Sequence, residues 1–159
     1  MSGPKITNTR HQQLGVGLIE ILITVLIFSI GMLGLAGLQL MGLRNSQAAV
    51  SRSQANFAIQ DIIERIRANR DAAAGGSYDL TLAANPTATN GCQANAVANC
   101  DPAQLAADDL GIWMAKVKEL TLGDASIVRT NGSDFKITIQ WDDNRSGAAN
   151  QTFVVEFSL

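Results

Sequence analysis

The chain has 159 residues and a formal net charge of −2, with 14 acidic side chains, 12 basic ones and a single histidine. That length suits one domain with appendages, and the mild acidity gives no electrostatic reason to expect nucleic-acid binding. Its apolar residues are unevenly placed, so their order says more than their average.

Residues 1–15 carry Lys5, Arg10 and His11 and no acid, the composition of the basic start of an export signal. From Leu14 to Leu43 the only charge is Glu20, and from Ile21 to Leu43 the only polar side chains are Thr24, Ser29 and Gln39. At about 1.5 Å per residue the latter run spans about 34 Å, enough to cross a hydrocarbon core. It is too long for an ordinary signal core, and no small-residue cleavage site follows it, so the segment is expected to stay with the protein. The basic start favours a cytoplasmic N-terminus, although Arg44 and Arg52 flank the far side.

After Arg44 the pattern becomes amphipathic. Ala55, Ile59, Ile62, Ile63 and Ile66 recur at helical spacing, and Asp61–Arg65 and Glu64–Arg67 are acid-before-base pairs. With no proline between Pro4 and Pro86, one helix from about 16 to 69 is predicted. Its first half is apolar all round, and its second half carries a single stripe that needs a covering surface. Gly75-Gly76 is read as the stop. Gly31, Gly34, Gly37 and Gly42 suit close helix packing, local unwinding, or simply the usual glycine content of membrane helices.

Residues 75–100 are rich in Ala, Asn, Gly and Thr and read as a loop with short strand pieces around 78–82. Cys92 and Cys100 close a short ring there. In an oxidising compartment a disulfide is the natural reading, stabilising by about 2.5 kcal/mol on the loop-entropy account. A zinc pair would need two further ligands, and the one histidine is His11. Asp101-Pro102-Ala103-Gln104 has the acid, proline and glutamine of a capped helix start. Ala106, Leu110, Trp113, Val117 and Leu120 then mark one face, with Gly123 as the stop. Ala125 to Thr130, a tight turn at Asn131-Gly132, the alternation of Phe135, Ile137, Ile139 and Trp141, a polar loop, and the alternation of Phe153, Val155, Phe157 and Leu159 predict an antiparallel meander of three or four strands.

Catalytic signals are thin. The only histidine, His11, lies in the basic start, so residues 16–159 offer no histidine-based acid–base chemistry. Asp108 and Asp109 point about 100° apart on a helix and do not share a site. Asp142-Asp143-Asn144 reads as a solvated turn, without a full calcium loop. Trp113 and Trp141 fall at inward positions and read as core. Asn131-Gly132-Ser133, Asn144-Arg145-Ser146 and Asn150-Gln151-Thr152 match a glycosylation pattern and are given no role. The expectation is a non-enzyme without cofactor or metal.

Gly15-Val16-Gly17-Leu18-Ile19-Glu20, opening the apolar run, resembles the prepilin signature of type IV pilins and type II secretion pseudopilins. The resemblance implies cleavage after Gly15 by a membrane peptidase, N-methylation of Val16, and Glu20 as the fifth mature residue, paired with an N-terminal amine to set register during assembly. Val16 and Gly17 depart from the usual Phe and Thr. Gly31 to Gln39 and Asp61 to Arg70 resemble segments of PilV-type minor pilins, and the proline usual near Gly37 in major pilins is absent. The implied fold is α+β and type IV pilin-like: a long N-terminal helix on a small antiparallel sheet, with a second short helix and one disulfide. The implied division is a leader at 1–15, a helix at 16–70 (16–43 transmembrane and filament core, 44–70 amphipathic) and a periplasmic head at 71–159. Implied partners are other minor pilins, the major pilin, the prepilin peptidase, the inner-membrane assembly platform and a tip adhesin. A secretion pseudopilin, and a tethered binding domain that never polymerises, stand as alternatives.

Overall fold

A computed structural model of the chain describes residues 17–88, 91–92, 99–144 and 146–159. Gly15 and Val16 therefore lie outside the described residues, as do the leader cations and Arg145 of one glycosylation pattern. Helix α1 runs over Leu18–Ala68, α2 over Arg70–Ala74 and α3 over Pro102–Val117. Strands β1 (Asp124–Asn131), β2 (Asp134–Trp141) and β3 (Gln151–Ser158) follow. The chain forms two units, one ending at Gly42 and one spanning Leu43–Leu159.

In the first unit, α1 has no interruption at its glycines, and every residue of Leu18–Gly42 is exposed. Nothing lies within 4 Å of a Cβ built at Gly31, Gly34, Gly37 or Gly42. The Thr24 and Ser29 hydroxyls donate to the carbonyls of Ile21 (2.8 Å) and Val25 (2.7 Å). This leaves an apolar surface on all sides, long and apolar enough to cross a membrane.

The second unit, hereafter the head, is built on the stripe. Ala55, Ala58, Ile59, Ile62, Ile63 and Ile66 of α1 are buried together with Trp113 and Met114 of α3 and Phe135, Ile137, Ile139 and Trp141 of β2. The three strands pair antiparallel in the order β1-β2-β3, which puts the alternating apolar residues of neighbouring strands opposite one another: Phe135 with Phe157, Ile137 with Val155, Ile139 with Phe153. Phe135 and Phe157 stack at 5.4 Å. The edge strand β3 keeps its inward side chains only half-buried. The piece expected around 78–82 is a single bridge, Leu80 to Ile127.

Three local details differ from the sequence reading. First, α1 ends at Ala68, because Asn69 leaves the helical region (φ −122°, ψ 58°). Gly75-Gly76 stops α2 instead. Gly76 is left-handed (φ 83°), and the N–H groups of Ser77 and Gly76 donate to the carbonyls of Ala72 (2.9 Å) and Ala73 (3.1 Å), which is a Schellman closure. Second, the hairpin loop is Gly132-Ser133, one residue on, since Asn131 still pairs with Asp134 after a register shift past Arg129. Third, α3 ends at Val117, not at Gly123. Leu120 remains buried, and Gly123 is needed for a close approach: a Cβ there would lie 2.0 Å from the Val117 carbonyl oxygen. Gly123→Ala is accordingly expected to destabilise the head by about 1–3 kcal/mol, seen as a lower thermal midpoint, while Gly34→Ala leaves that midpoint unchanged.

Candidate functional site

The residues singled out in the sequence fall in two places. Glu20 occupies the first turn of α1, exposed, with the Gly17 carbonyl accepting from the backbone N–H groups of Glu20 (2.9 Å) and Ile21 (3.3 Å). An acid there faces the positive end of the helix dipole. It is the one charge on an otherwise apolar surface from Leu18 to Leu43, and a carboxylate in such surroundings calls for a cationic partner. Cys92 and Cys100 are joined as a disulfide with their Cα atoms 5.9 Å apart, within the ordinary range.

The head contains a second polar arrangement, of which the sequence showed only the Asp61–Arg65 pair. Arg65 of α1 donates from Nη1 to Asp109 Oδ1 of α3 (2.7 Å) and from Nε to Asp61 (3.1 Å). Tyr78 donates its hydroxyl to Asp109 Oδ2 (2.6 Å), and Asn69 donates from Nδ2 to the Pro102 carbonyl (2.8 Å). Lys116 reaches Asp61 at 2.9 Å. The group thus ties α1, the α1–α2 break, the 77–80 segment and both ends of α3. Burial pushes the Asp61 carboxyl up, but hydrogen bonds from Lys116 and Arg65 overcome it and hold the group below its usual value. Burial also pushes the Tyr78 hydroxyl up, and its bond to Asp109 adds to that, so Tyr78 remains a donor. The available clue was position: Asp109 falls between Ala106 and Trp113, on the inward face of α3.

Asp108 and Asp109 do point apart, as helix geometry requires, yet both are buried. Asp108 accepts the Cys92 N–H (2.7 Å), tying the disulfide ring to α3. Beside it the chain crosses α3 at Gly111, where a Cβ would lie 2.1 Å from the Ala88 nitrogen. Trp113 is core, donating Nε1–H to the Ala58 carbonyl (2.7 Å), and Trp141 is core as well.

Asp142 corrects the reading of a solvated turn, being only 2% exposed. Its two oxygens accept from the N–H groups of Gly147 (2.8 Å) and Asn144 (3.2 Å) and from Asn150 Nδ2 (3.0 Å). Burial acts to raise its pKa, and the backbone N–H groups of Gly147, Ser146 and Asn144, with the Ser146 hydroxyl, outweigh it and lower it. A carboxylate surrounded by donors organises a loop; its oxygens are taken. No group of three or more potential metal ligands occurs among the described residues.

Comparison with known families gives two matches. The family model described as type IV pilin Tt1218 matches residues 37–111, and the prokaryotic N-terminal methylation motif matches residues 10–36. The first covers the stripe, Asn69, the disulfide ring and the start of α3 through Asp109, and stops before β1; the second covers Glu20 and the apolar run. No curated protein and no solved structure matches the chain.

Asp109→Ala takes the side-chain acceptor from Tyr78 and one of two from Arg65, and we expect a loss of about 3 kcal/mol in urea unfolding, against about 1 kcal/mol for Tyr78→Phe. Asp61 and Asp142, both held below the usual carboxylate value, contribute to the acid limb, and Asp61 is the simpler to test. Its folded pKa lies below the unfolded value of 3.8, so its contribution is fully present above about pH 4 and is lost as pH falls through the lower folded value. Asp61→Asn should therefore lower stability near pH 7 and flatten its decline below about pH 4, as measured by urea midpoints across that range.

Proposed function

From the premise that this chain belongs to the type IV pilin family, we propose that it is a minor pilin, incorporated near the filament tip, where it helps start assembly and supports a tip adhesin. One observation carries the reading: an apolar helix surface from Leu18 to Gly42 that nothing among the described residues covers, opening on a single acid, inside a matched methylation motif. Such a surface is stable in two places, a bilayer and a bundle of like helices. A subunit that moves from one to the other needs both.

On this reading the chain is divided into the leader 1–15, the helix 16–70 and the head 71–159. The prepilin peptidase cuts between Gly15 and Val16 and methylates Val16. Before cleavage the helix anchors the protein in the inner membrane with its N-terminus cytoplasmic and its head periplasmic. After cleavage the Val16 amine of this or a neighbouring subunit meets Glu20, and the assembly platform raises the helix into the filament. A neutralised pair in a poorly solvated bundle fixes register, because any other register strands a charge. The PilV-type segments at 31–39 and 61–70 and the lack of proline near Gly37 support a low-copy subunit, with the major pilin and other minor pilins as neighbours.

Intact mass and N-terminal sequence from membranes, with and without the peptidase, test the pathway. The expected chain starts at N-methylated Val16 only when the peptidase is present; an unprocessed chain in both strains returns the protein to the tethered-domain class. Glu20→Lys should abolish recovery in sheared filaments while leaving the membrane pool intact. Normal incorporation of that variant would defeat the register argument. Quantitation of sheared filaments should find the wild-type chain far below the major subunit, and equal amounts would rule out a minor role.

A further inference from the structure

The inward stripe of α1 does not stop at Ala55. One and two turns earlier the same face carries Ser51 and Ala48, both half-buried, and then Arg44. Here the stripe has turned polar and the loop after β2 stands off from the helix. The gap is a cleft of about 550 Å³ lined by Arg44, Asn45, Gln47, Ala48, Asp143 and Asn144, a size that takes a small ligand. Its loop wall is held in place. Asp142 N–H donates to the Thr121 carbonyl (2.8 Å), Asn150 N–H to the Trp141 carbonyl (3.0 Å), and Asp143 N–H to Asn150 Oδ1 (3.2 Å). Arg44 on one wall and Asp143 on the other form no ion pair with each other.

We propose that this cleft binds the headgroup of a zwitterionic phospholipid bearing a primary ammonium, with its phosphate on Arg44 and its ammonium on Asp143. The inference rests on the membrane-anchored state of the protein. In that state Arg44, the first charge after Glu20, follows the last apolar residue of the span and falls at headgroup level. A guanidinium presents a fork of donors matched to phosphate oxygens, and a carboxylate accepts from an ammonium. The flanking amides of Asn45 and Gln47 serve either group, and Asn144, whose Oδ1 already accepts from the Ser146 N–H (3.1 Å), offers its Nδ2 to the phosphate. An anionic headgroup would leave Asp143 without a cation and repel it. A quaternary ammonium cannot donate, and it is usually held by aromatic rings, none of which is among the described residues that line this cleft. The bound lipid would add a second attachment to the bilayer, released when the subunit is extracted.

The test uses the full chain in nanodiscs of mixed phosphatidylethanolamine, phosphatidylcholine and phosphatidylglycerol, scoring insertion first and then the lipids retained on gentle release, by native mass spectrometry. Phosphatidylethanolamine should be enriched several-fold over its share of the disc. Arg44→Gln should abolish the enrichment, Arg44→Lys should keep part of it, and Asp143→Asn should shift retention toward phosphatidylglycerol. Soluble glycerophosphoethanolamine should compete and inorganic phosphate should not. Equal competition by phosphate would make this a plain anion site and overturn the proposal, as would enrichment indifferent to both residues, or none in a chain that has inserted. A chain that does not insert removes the anchoring premise itself, and this inference with it.

Discussion

Every other element of the head depends on one face of α1. Ala55, Ala58, Ile59, Ile62, Ile63 and Ile66 are all buried, and each isoleucine contributes about 2 kcal/mol by leaving water. The face has no cover of its own, and α3 and the sheet supply it. Their sequences suit that role. The inward row of β2 is large and apolar, and Trp113 bonds to a carbonyl of the very helix it covers. The edge strand β3 keeps its inward side chains half-buried.

Hydrophobic contact fixes that the layers meet, but it is tolerant of sliding. The polar group around Asp109 removes that freedom. Arg65 must sit opposite Asp109, and Asn69 must meet the Pro102 carbonyl, so α1 and α3 have one register along their axes. The break at Asn69 falls where its amide is used, which gives a physical reason for a helix that ends without glycine or proline at the site.

Local patterns in the sequence carried much of this. The stripe on α1, the capping box at Asp101 and Gln104, whose side chains exchange bonds with each other's backbone (2.8 and 3.0 Å), and the alternation in β2 and β3 are short-range signals, and each forms as read. Pairings distant in sequence were invisible. Asp109 and Arg65 are 44 residues apart, and an aspartate on a helix looks the same whether it meets water or a guanidinium. Asp142 was misread because its polar neighbours describe a solvated loop equally well; burial there follows from the loop folding over its own carboxylate. Gly123 resembles a helix stop in sequence and is instead a crossing point, a difference set by the chain's path after Val117.

The ring between Cys92 and Cys100 has a consequence of another kind. Cys92 donates its N–H to Asp108, in the second turn of α3 (2.7 Å), and Asp101, the residue after Cys100, caps the start of the same helix. Each cysteine is thus moored to α3 without help from the sulfur–sulfur bond. Reducing that bond would cost the head its crosslink and leave the bonds between α3 and α1 in place. The disulfide is a latch on an assembled head rather than the feature on which its assembly turns.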